Sequence, residues 1–185
     1  MKKIFFIIIA VIAIVLFFNM YGIFAYQSNQ SKPYIDFKKK IDISQLFDYR
    51  DPTYGYTISY PDFFEHEDTS LSNYQSYARF SYTDRTNVVL ESYVTKNHSS
   101  SLQTCADSLA TKLHATKTMN RDSSFLLAGP VYENGVRMKG YSHYDKFIKS
   151  GKLLFVYSLT YPDDYKPAMQ KLFHLIENWK IIGVY

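Results

Sequence analysis

Residues 4–25 carry no charged side chain, and most of them are Ile, Phe, Val, Leu or Ala. As a helix, these 22 residues would be about 33 Å long, enough to cross the hydrocarbon core of a bilayer. The pattern therefore predicts one N-terminal transmembrane helix over residues 1–26. It leaves 159 of the 185 residues, enough for one folded domain with a hydrophobic core.

The start of the chain fits either a cleaved signal peptide or a retained signal-anchor, because Lys2 and Lys3 precede the apolar run. Two features favour retention. The unbroken apolar stretch over residues 4–18 already reaches the upper length of the apolar core of a cleaved signal. Residues 23–25 also place Ile23 where a cleavage site needs a small residue. We therefore predict a retained signal-anchor, with a cleaved signal as the alternative.

The basic residues around the apolar run give conflicting indications of its orientation. Lys32 and residues 38–40 outnumber Lys2 and Lys3, which by the positive-inside rule places the domain in the cytoplasm. However, Lys2 and Lys3 directly adjoin the run, whereas residues 26–31 are uncharged. A short basic head before a long apolar segment normally stays inside. We therefore predict a single-pass membrane protein whose domain is extracytoplasmic.

The charge balance argues against a nucleic-acid partner. The net charge is +4, and without Lys2 and Lys3 the chain has 19 Lys and Arg against 17 Asp and Glu, or +2. Nucleic-acid-binding domains usually have a larger and more clustered surplus. The one basic cluster is residues 38–40, which we interpret as part of a solvated linker near the membrane. Contact of these lysines with anionic lipid headgroups is the alternative.

Residues 27–50 are polar and interrupted by Pro33, which predicts a linker with a short amphipathic piece over residues 41–47. A single domain then covers residues 51–185.

The sequence of the first half of this domain predicts three strands followed by a helix. Period-two alternation over residues 54–60 predicts a half-buried strand, and aromatic and β-branched residues predict two more over residues 76–82 and 87–94. A helix follows, with a capping box of Ser100 and Gln103. Its apolar stripe has spacings of three and four residues and consists of Leu102, Cys105, Leu109 and Leu113.

Two turns then predict a meander of three antiparallel strands. Asn134 and Gly135 are typical of a type I′ hairpin turn, and Ser150 and Gly151 mark a second turn. The first turn pairs Val131 with Met138, Leu127 with Ser142, and Phe125 with Tyr144. The second pairs Tyr144 with Tyr157, and Ser142 with Leu159. Both registers place one set of residues on the same face of the sheet, namely Phe125, Leu127, Met138, Ser142, Tyr144, Phe155, Tyr157 and Leu159.

The end of the chain predicts a helix and a strand. Asp163 or Asp164 is expected to cap the helix, and residues 179–182 form the strand. The inner face of the helix is Tyr165, Met169, Leu172, Phe173 and Ile176. The predicted fold class is α+β, an antiparallel sheet with an Asn-Gly hairpin meander packed by two main helices.

The order of these elements resembles a known family. The segment Tyr54-Gly55-Tyr56-Thr57-Ile58-Ser59-Tyr60-Pro61 is similar to the opening strand of the PsbP-like α/β/α sandwich family, and the resemblance covers residues 54–182. Its members share a fold rather than a reaction, so the resemblance implies a binding or assembly role. The chain lacks the anchoring cysteine of the family's lipoprotein members, and nothing in it matches a photosystem-binding or Ran-binding segment.

No sequence motif indicates catalysis, a cofactor or a metal. The chain has no HExxH, no Gly-x-Ser-x-Gly and no phosphate-binding loop. Residues 65–68, Glu-His-Glu-Asp, are the densest group of possible metal ligands, but neighbours on a strand point to alternate sides, so we interpret them as a solvated acidic loop. The single cysteine, Cys105, lies on the leucine face of a helix, which predicts a small core residue. It is also too far from the apolar run to carry a lipid anchor.

One polar face remains as a candidate interaction surface. Alternation places Arg137, Lys139, Tyr141 and His143 together on the outward face of the central meander strand, with Tyr132 paired beside Arg137. Tyr and Arg are enriched at binding hot spots. A merely solvated sheet face is the alternative. The sequence thus predicts a membrane-tethered binding or assembly module with a protein partner. The alternative is an envelope-associated, hydrolase-like enzyme whose site is not legible in the sequence.

Overall fold

The computed structural model describes residues 12, 31–67, 75–84, 87–99, 101–120 and 123–181. The chain divides into two compact units, residues 1–36 and residues 37–185. The predicted transmembrane helix over residues 1–26 lies, except for Ile12, outside the described residues. Among the helices that are described, none combines the length and apolarity needed to cross a membrane.

The described residues form three α-helices, one 3₁₀-helix and nine strands. The helices are α1 (Lys32–Ile43), α2 (Leu102–Lys112) and α3 (Gln170–Asn178), with the 3₁₀-helix Asp163–Ala168 directly before α3. The strands are β1 (Leu46–Arg50), β2 (Thr57–Pro61), β3 (Glu65–His66), β4 (Gln75–Tyr82), β5 (Val88–Lys96), β6 (Thr116–Met119), β7 (Ser124–Glu133), β8 (Val136–Ser150) and β9 (Leu153–Pro162).

Seven strands make one antiparallel sheet, in the order β3-β4-β5-β9-β8-β7-β6. Strands β7, β8 and β9 follow one another along the chain, so the predicted three-stranded meander is confirmed. Strand β5 pairs with β9, although the two strands are far apart in sequence, and this pairing completes the centre of the sheet. Strands β1 and β2 form a separate two-stranded antiparallel sheet, called the β1–β2 hairpin below.

Helix α2 packs on one face of the large sheet. Phe125 lies opposite Phe147 in the register, and their rings stack with centroids 4.8 Å apart. Cys105 and Ala106 of α2 join these rings in a buried cluster, as the apolar stripe predicted. Burial raises the pKa of the Cys105 thiol, which fits its predicted place as a small core residue. The α2 face of the sheet is therefore a closed core at this end.

Helix α3 and the β1–β2 hairpin pack on the other face through aromatic rings. Phe173 of α3 contacts Tyr144 and Tyr161, with ring centroids 4.7 and 5.5 Å apart. Tyr60 of the hairpin stacks on Phe80 of β4 at 4.0 Å. The predicted inner face of the last helix is confirmed, since all five of its residues are buried: Tyr165, Met169, Leu172, Phe173 and Ile176.

The prediction of a linker over residues 27–50 is wrong for residues 32–50. These residues form helix α1 and strand β1. Phe37 and Ile41 are buried, and the Phe37 ring lies 5.4 Å from both Tyr82 and Tyr165. The high polarity of the segment arises because its lysines face solvent, while residues four apart on the helix supply the buried face. The folded unit therefore begins well before residue 51.

The predicted pairing of β7 with β8 is wrong beyond the turn. Asn134 and Gly135 form the expected turn, with φ of +49° and +78°, and Tyr132 pairs with Arg137. Between Tyr132 and Pro130 the register shifts, and four residues of β8, 138–141, lie against the single residue 131 of β7. Gly140 at φ +79° accommodates this irregularity.

The shift moves side chains to the other face of the sheet. Phe125 lies opposite Phe147 rather than Tyr144, and Leu127 lies opposite Asp145 rather than Ser142. Because the shift is odd, Phe125 and Leu127 lie on the α2 face, not on the face of Tyr144 as predicted. The β8–β9 pairing differs from the prediction by two residues, with Tyr144 opposite Leu159, and an even shift leaves its faces unchanged.

Two predicted helix caps and the predicted C-terminal strand also differ from the structure. Ser101 rather than Ser100 caps α2, and its side chain accepts from the Thr104 amide. Neither Asp163 nor Asp164 makes a capping side-chain bond, because the chain enters a 3₁₀-helix at Pro162. Asp163 instead accepts from the Ser142 hydroxyl at 2.5 Å. Residues 179–181 do not form a strand, and residues 182–185 lie outside the described part.

Candidate functional site

A groove runs between the β1–β2 hairpin and helix α3. Its volume is about 620 Å³, within the usual range for ligand sites. Its lining combines aliphatic and aromatic side chains with a few polar groups, and consists of Leu46, Thr57, Ser59, Tyr157, Lys171, His174, Leu175, Asn178 and Trp179. We call this the hairpin groove. Its walls come from two regions that are far apart in sequence, the hairpin residues 46–59 and residues 157–179.

The ammonium group of Lys171 is committed to the protein itself. It donates to the backbone oxygens of Ser44 at 2.6 Å and Ile41 at 3.1 Å, and to the Ser44 hydroxyl at 3.0 Å. These oxygens lie at the end of α1, where helix carbonyls have no partner within the helix. Lys171 therefore caps α1 from the side of α3 and has its three donors in use.

The two aromatic residues of the groove are also held by backbone carbonyls. Trp179 donates from Nε1 to the Thr57 oxygen at 2.8 Å, and the Tyr157 hydroxyl donates to the Ser59 oxygen at 2.6 Å. Burial raises the pKa of Tyr157, so the hydroxyl keeps its proton and stays a donor. Both rings are thus fixed in place and present their apolar surfaces to neighbouring groups.

The remaining polar groups of the groove do not form a catalytic arrangement. His174 is exposed and its Nδ1 lies 3.4 Å from a carboxylate oxygen of Glu177, one turn along the same helix. The Asn178 amide donates to the His174 carbonyl at 2.9 Å, and the Ser59 hydroxyl donates to Asp48 at 2.6 Å. A nucleophile activated by a neighbouring base needs a hydrogen bond between the two groups. None of these bonds joins such a pair.

The structure separates the predicted interaction residues. Tyr132, Arg137 and Lys139 are exposed near the β7–β8 turn, before the register shift. Tyr141, after the shift, is half-buried and lies opposite Pro162. His143 is only 8% exposed, so its predicted place on an open face is wrong. It pairs with Gly129, where an added Cβ would lie 3.0 Å from Ala115 in the turn after α2. The turn after α2 therefore lies against this stretch of the sheet.

His143 belongs to a buried polar chain. Its Nδ1 lies 2.7 Å from one oxygen of Asp145, and the Ser158 hydroxyl donates to the other oxygen at 2.6 Å. These are the residue types of a hydrolytic triad in the wrong order. A triad places histidine between serine and carboxylate so that the imidazole can take the serine proton. Here the carboxylate lies between them, and the hydroxyl is bonded to Asp145 rather than to the imidazole.

The acidic residues near β3 are engaged with a neighbouring strand. Arg79 donates to Glu67 at 2.9 Å and to Glu91 at 2.6 Å, and Glu91 also accepts from the Tyr77 hydroxyl. Glu65 and His66 form strand β3 rather than the predicted loop, and the His66 ring stacks on Phe80 at 4.7 Å. Asp68 lies outside the described residues. Within the described ranges, no three His, Cys, Asp or Glu side chains are placed to hold a metal ion.

The architecture is similar to that of a solved protein, cyanobacterial PsbP (CyanoP) from Synechocystis sp. PCC 6803. The TM-score is 0.52, and the match covers 76% of this chain and 94% of that chain. The fold is PsbP-like. This confirms the fold family that the sequence resembles, together with its α+β class and antiparallel sheet. Sequence identity is 13%, so the likeness establishes the PsbP-like fold and nothing further.

Comparison of the sequence with known proteins adds no further relationship. No protein-family model matches this chain, and neither does any curated protein.

Within this PsbP-like fold, sequence reasoning missed the hairpin groove. Lys171 and Leu175 are spaced as neighbours on one face of α3, which is a local signal. Leu46 and Thr57 form part of the opposite wall. Leu46 lies within the predicted linker, residues 27–50, and Thr57 lies seven residues after it. A groove between elements more than a hundred residues apart leaves no pattern in either of them.

Proposed function

We propose that the chain is a binding or assembly module without catalytic activity, and that the hairpin groove receives a protein partner. One observation carries the proposal. Most of the polar groups that line the groove bond to the chain's own backbone and side chains. Lys171 donates to backbone oxygens at the end of α1, and Trp179 donates to the Thr57 oxygen. What the groove then offers to a partner is mainly apolar surface, backed by two rings that are themselves buried.

Such a groove suits an apolar or aromatic anchor on a partner protein. Leu46 and Leu175 line it together with the rings of Tyr157 and Trp179. Binding energy at protein interfaces concentrates where an anchor side chain fills a pocket and excludes water. The hydrogen bonds of these buried rings to the hairpin hold the groove walls in place before binding, so little conformational entropy is lost on binding, which favours affinity.

The enzymatic alternative would require ionisable groups that converge on a pocket. In the groove, the donors of Lys171 are bonded and His174 faces Glu177. The buried His143 is not among the groove residues, and its carboxylate partner Asp145 separates it from Ser158. These arrangements favour binding over hydrolysis.

We further propose that residues 1–26 tether the module to a membrane as a retained signal-anchor, with the domain extracytoplasmic. The support is the uncharged run over residues 4–25 and the short basic head before it. The chain should resist carbonate extraction from membranes, and N-terminal sequencing should find the original N-terminus. Protease added to intact cells whose outer barrier has been removed should digest the domain. Full protection would place the domain in the cytoplasm.

The groove is tested by site-specific photocrosslinking in native membranes. A photoreactive residue at position 175 should capture a discrete partner, which mass spectrometry identifies, and Leu46→Asp in the same chain should abolish the capture. The matched control is a photoreactive residue at Val136, an exposed apolar position at the β7–β8 turn that does not line the groove. Capture from position 136 but not from position 175 would move the partner surface to Tyr132, Arg137 and Lys139.

A further inference from the structure

The exposed large apolar side chains of the folded unit are unevenly distributed. Among the described residues after Phe37, six such side chains are exposed, and three of them lie within five residues where α1 meets β1. Ile43 is 83% exposed, Phe47 50% and Leu46 41%. Single exposed apolar residues are normal on protein surfaces, whereas a cluster marks an interaction site.

Two lysines lie beside this cluster. Lys39 and Lys40 are exposed on α1, and Lys39 precedes Ile43 by four residues, so the two share one face of the helix. Lys40 also lies over the Tyr82 ring, with its Nζ 4.9 Å from the ring centroid. The adjacent Lys38 forms an ion pair with Asp42 at 2.7 Å, which offsets its charge. We call Lys39, Lys40, Ile43 and Phe47 the interfacial patch, since Leu46 points to the other face of β1 and lines the hairpin groove.

The sequence before α1 indicates what covers this patch. Only residues 26–31 separate the uncharged run over residues 4–25 from Lys32. From the end of that run to Lys39, the chain can reach roughly 30 Å at most, as six extended residues followed by helix. A folded unit on so short a connection remains next to the bilayer that holds the run.

We infer that the interfacial patch docks on an anionic bilayer surface. Lys39 and Lys40 lie at the level of the lipid phosphates, while Ile43 and Phe47 insert among the upper acyl chains. The inference rests on the tethering proposed above and adds to it a fixed orientation of the domain on the membrane. Basic residues beside exposed aromatic and aliphatic ones are typical of surfaces that lie in the membrane interface.

The tether makes a modest patch sufficient. Each lysine near an anionic surface contributes about a fivefold gain in partitioning, so two lysines alone would not hold a free domain on a membrane. A domain already attached to the bilayer is at a high effective concentration and docks with far weaker contacts. The patch then determines which side of the domain faces the lipid and leaves the opposite side to solvent.

The test uses the full chain reconstituted in vesicles of phosphatidylcholine mixed with phosphatidylglycerol. A fluorophore is attached at Phe47→Cys, and nitroxide groups on the upper acyl carbons of the lipids quench it if it inserts. Val136→Cys, labelled in the same way, is the control for an exposed apolar site outside the patch. The native Cys105 is buried in the core, and labelling of the unmodified chain measures its background. Ile43→Cys provides a second reporter if the first variant fails to fold.

We expect strong quenching at positions 43 and 47 and little at position 136. Vesicles of phosphatidylcholine alone, or Lys39→Gln with Lys40→Gln, should reduce docking by about twenty-five-fold, the product of two fivefold factors. Equal quenching at positions 47 and 136, in a chain that floats with the vesicles, would overturn the docking while leaving the tether intact. If position 47 is shielded from water but is not quenched by the lipid nitroxides, the patch contacts a protein. That result would also overturn docking on the bilayer. A chain that fails to float would overturn the tether and the docking together.

Discussion

The Nζ of Lys171 in α3 donates to the backbone oxygen of Ser44 at 2.6 Å. This bond joins the last helix of the chain to the residue that follows the first helix of the folded unit. The same ammonium group reaches the Ile41 oxygen, so one side chain caps α1 and forms part of the hairpin groove. The stability of the groove wall and the position of α1 are therefore coupled.

Lys171→Met should lower the free energy of unfolding by about 2 kcal/mol. The substitution keeps the apolar stem but removes a charged donor with three acceptors, and hydrogen bonds to charged groups contribute about 1.5–3 kcal/mol. Chemical denaturation of the detergent-solubilised chain measures the loss. Lys180→Met is the matched control, because Lys180 is exposed and should change stability by less than about 0.5 kcal/mol. Equal effects of the two substitutions would contradict the capping role.

Phe173→Ala should cost about 3 kcal/mol. Phe173 is 9% exposed and its ring contacts Tyr144 and Tyr161 of the sheet, so truncation leaves a cavity under α3. The neighbouring His174 is exposed, and His174→Ala on the same helix should have little effect. A loss well below 1 kcal/mol for Phe173→Ala would show that α3 presents a different face to the sheet.

His143→Ala and Arg137→Ala should differ sharply in stability although the two residues lie on the same strand. His143 is buried against Asp145 at 2.7 Å, and its removal leaves the carboxylate with one hydrogen bond fewer, at a cost of about 2 kcal/mol. Arg137 is exposed, and its loss should change stability by less than about 0.5 kcal/mol. Thermal and chemical denaturation of both variants measure the difference. If both substitutions change stability by less than about 0.5 kcal/mol, His143 would be solvent-exposed, on the single open face that the sequence predicted.

Stability should fall in alkaline solution partly through Tyr77. Burial, together with the hydrogen bond and proximity to Glu91, raises the pKa of Tyr77 from the ordinary value of 10.0 to about 12. The folded chain then holds this proton more tightly than the unfolded chain does. The resulting stabilisation is complete below pH 10 and is lost as the pH rises through about 12.

Tyr77→Phe isolates this contribution, because it keeps the ring and removes the titrating hydroxyl. The free energy of unfolding of the original chain, measured relative to Tyr77→Phe, should be constant up to about pH 10 and then decline. The other buried tyrosines titrate in both chains and cancel from the difference. A difference that stays constant up to pH 12 would show that the Tyr77 proton is held no more tightly in the folded chain.

Several elements could be predicted because their information is local. The Asn134–Gly135 turn follows from two residues that tolerate positive φ, and both adopt it. The buried faces of α2 and α3 follow from apolar spacings of three and four residues, which report one side of a helix. The PsbP-like resemblance rested on the order of such elements, and order survives errors of a few residues at their ends.

The predictions were wrong where a residue's environment depends on residues that are far away in the sequence. The shift of register at residues 138–141 has no signal beyond Gly140, and it decided that Phe125 lies on the α2 face. His143 looked solvent-facing by alternation, yet the turn after α2 lies against its partner Gly129 and the histidine is buried. Local patterns specify which residues alternate, but not what comes to lie against each side.

The sequence by itself determined the uncharged apolar run at residues 4–25, the turn at Asn134 and the apolar stripes of the helices, because these are properties of neighbouring residues. Tertiary structure alone decided that residues 32–50 belong to a helix and a strand, and that Lys171 meets Ser44 across the fold. The hairpin groove belongs to this second class. Its walls are brought together because their aromatic side chains are buried on the same sheet. Long-range contacts of this kind leave no periodic pattern in the sequence.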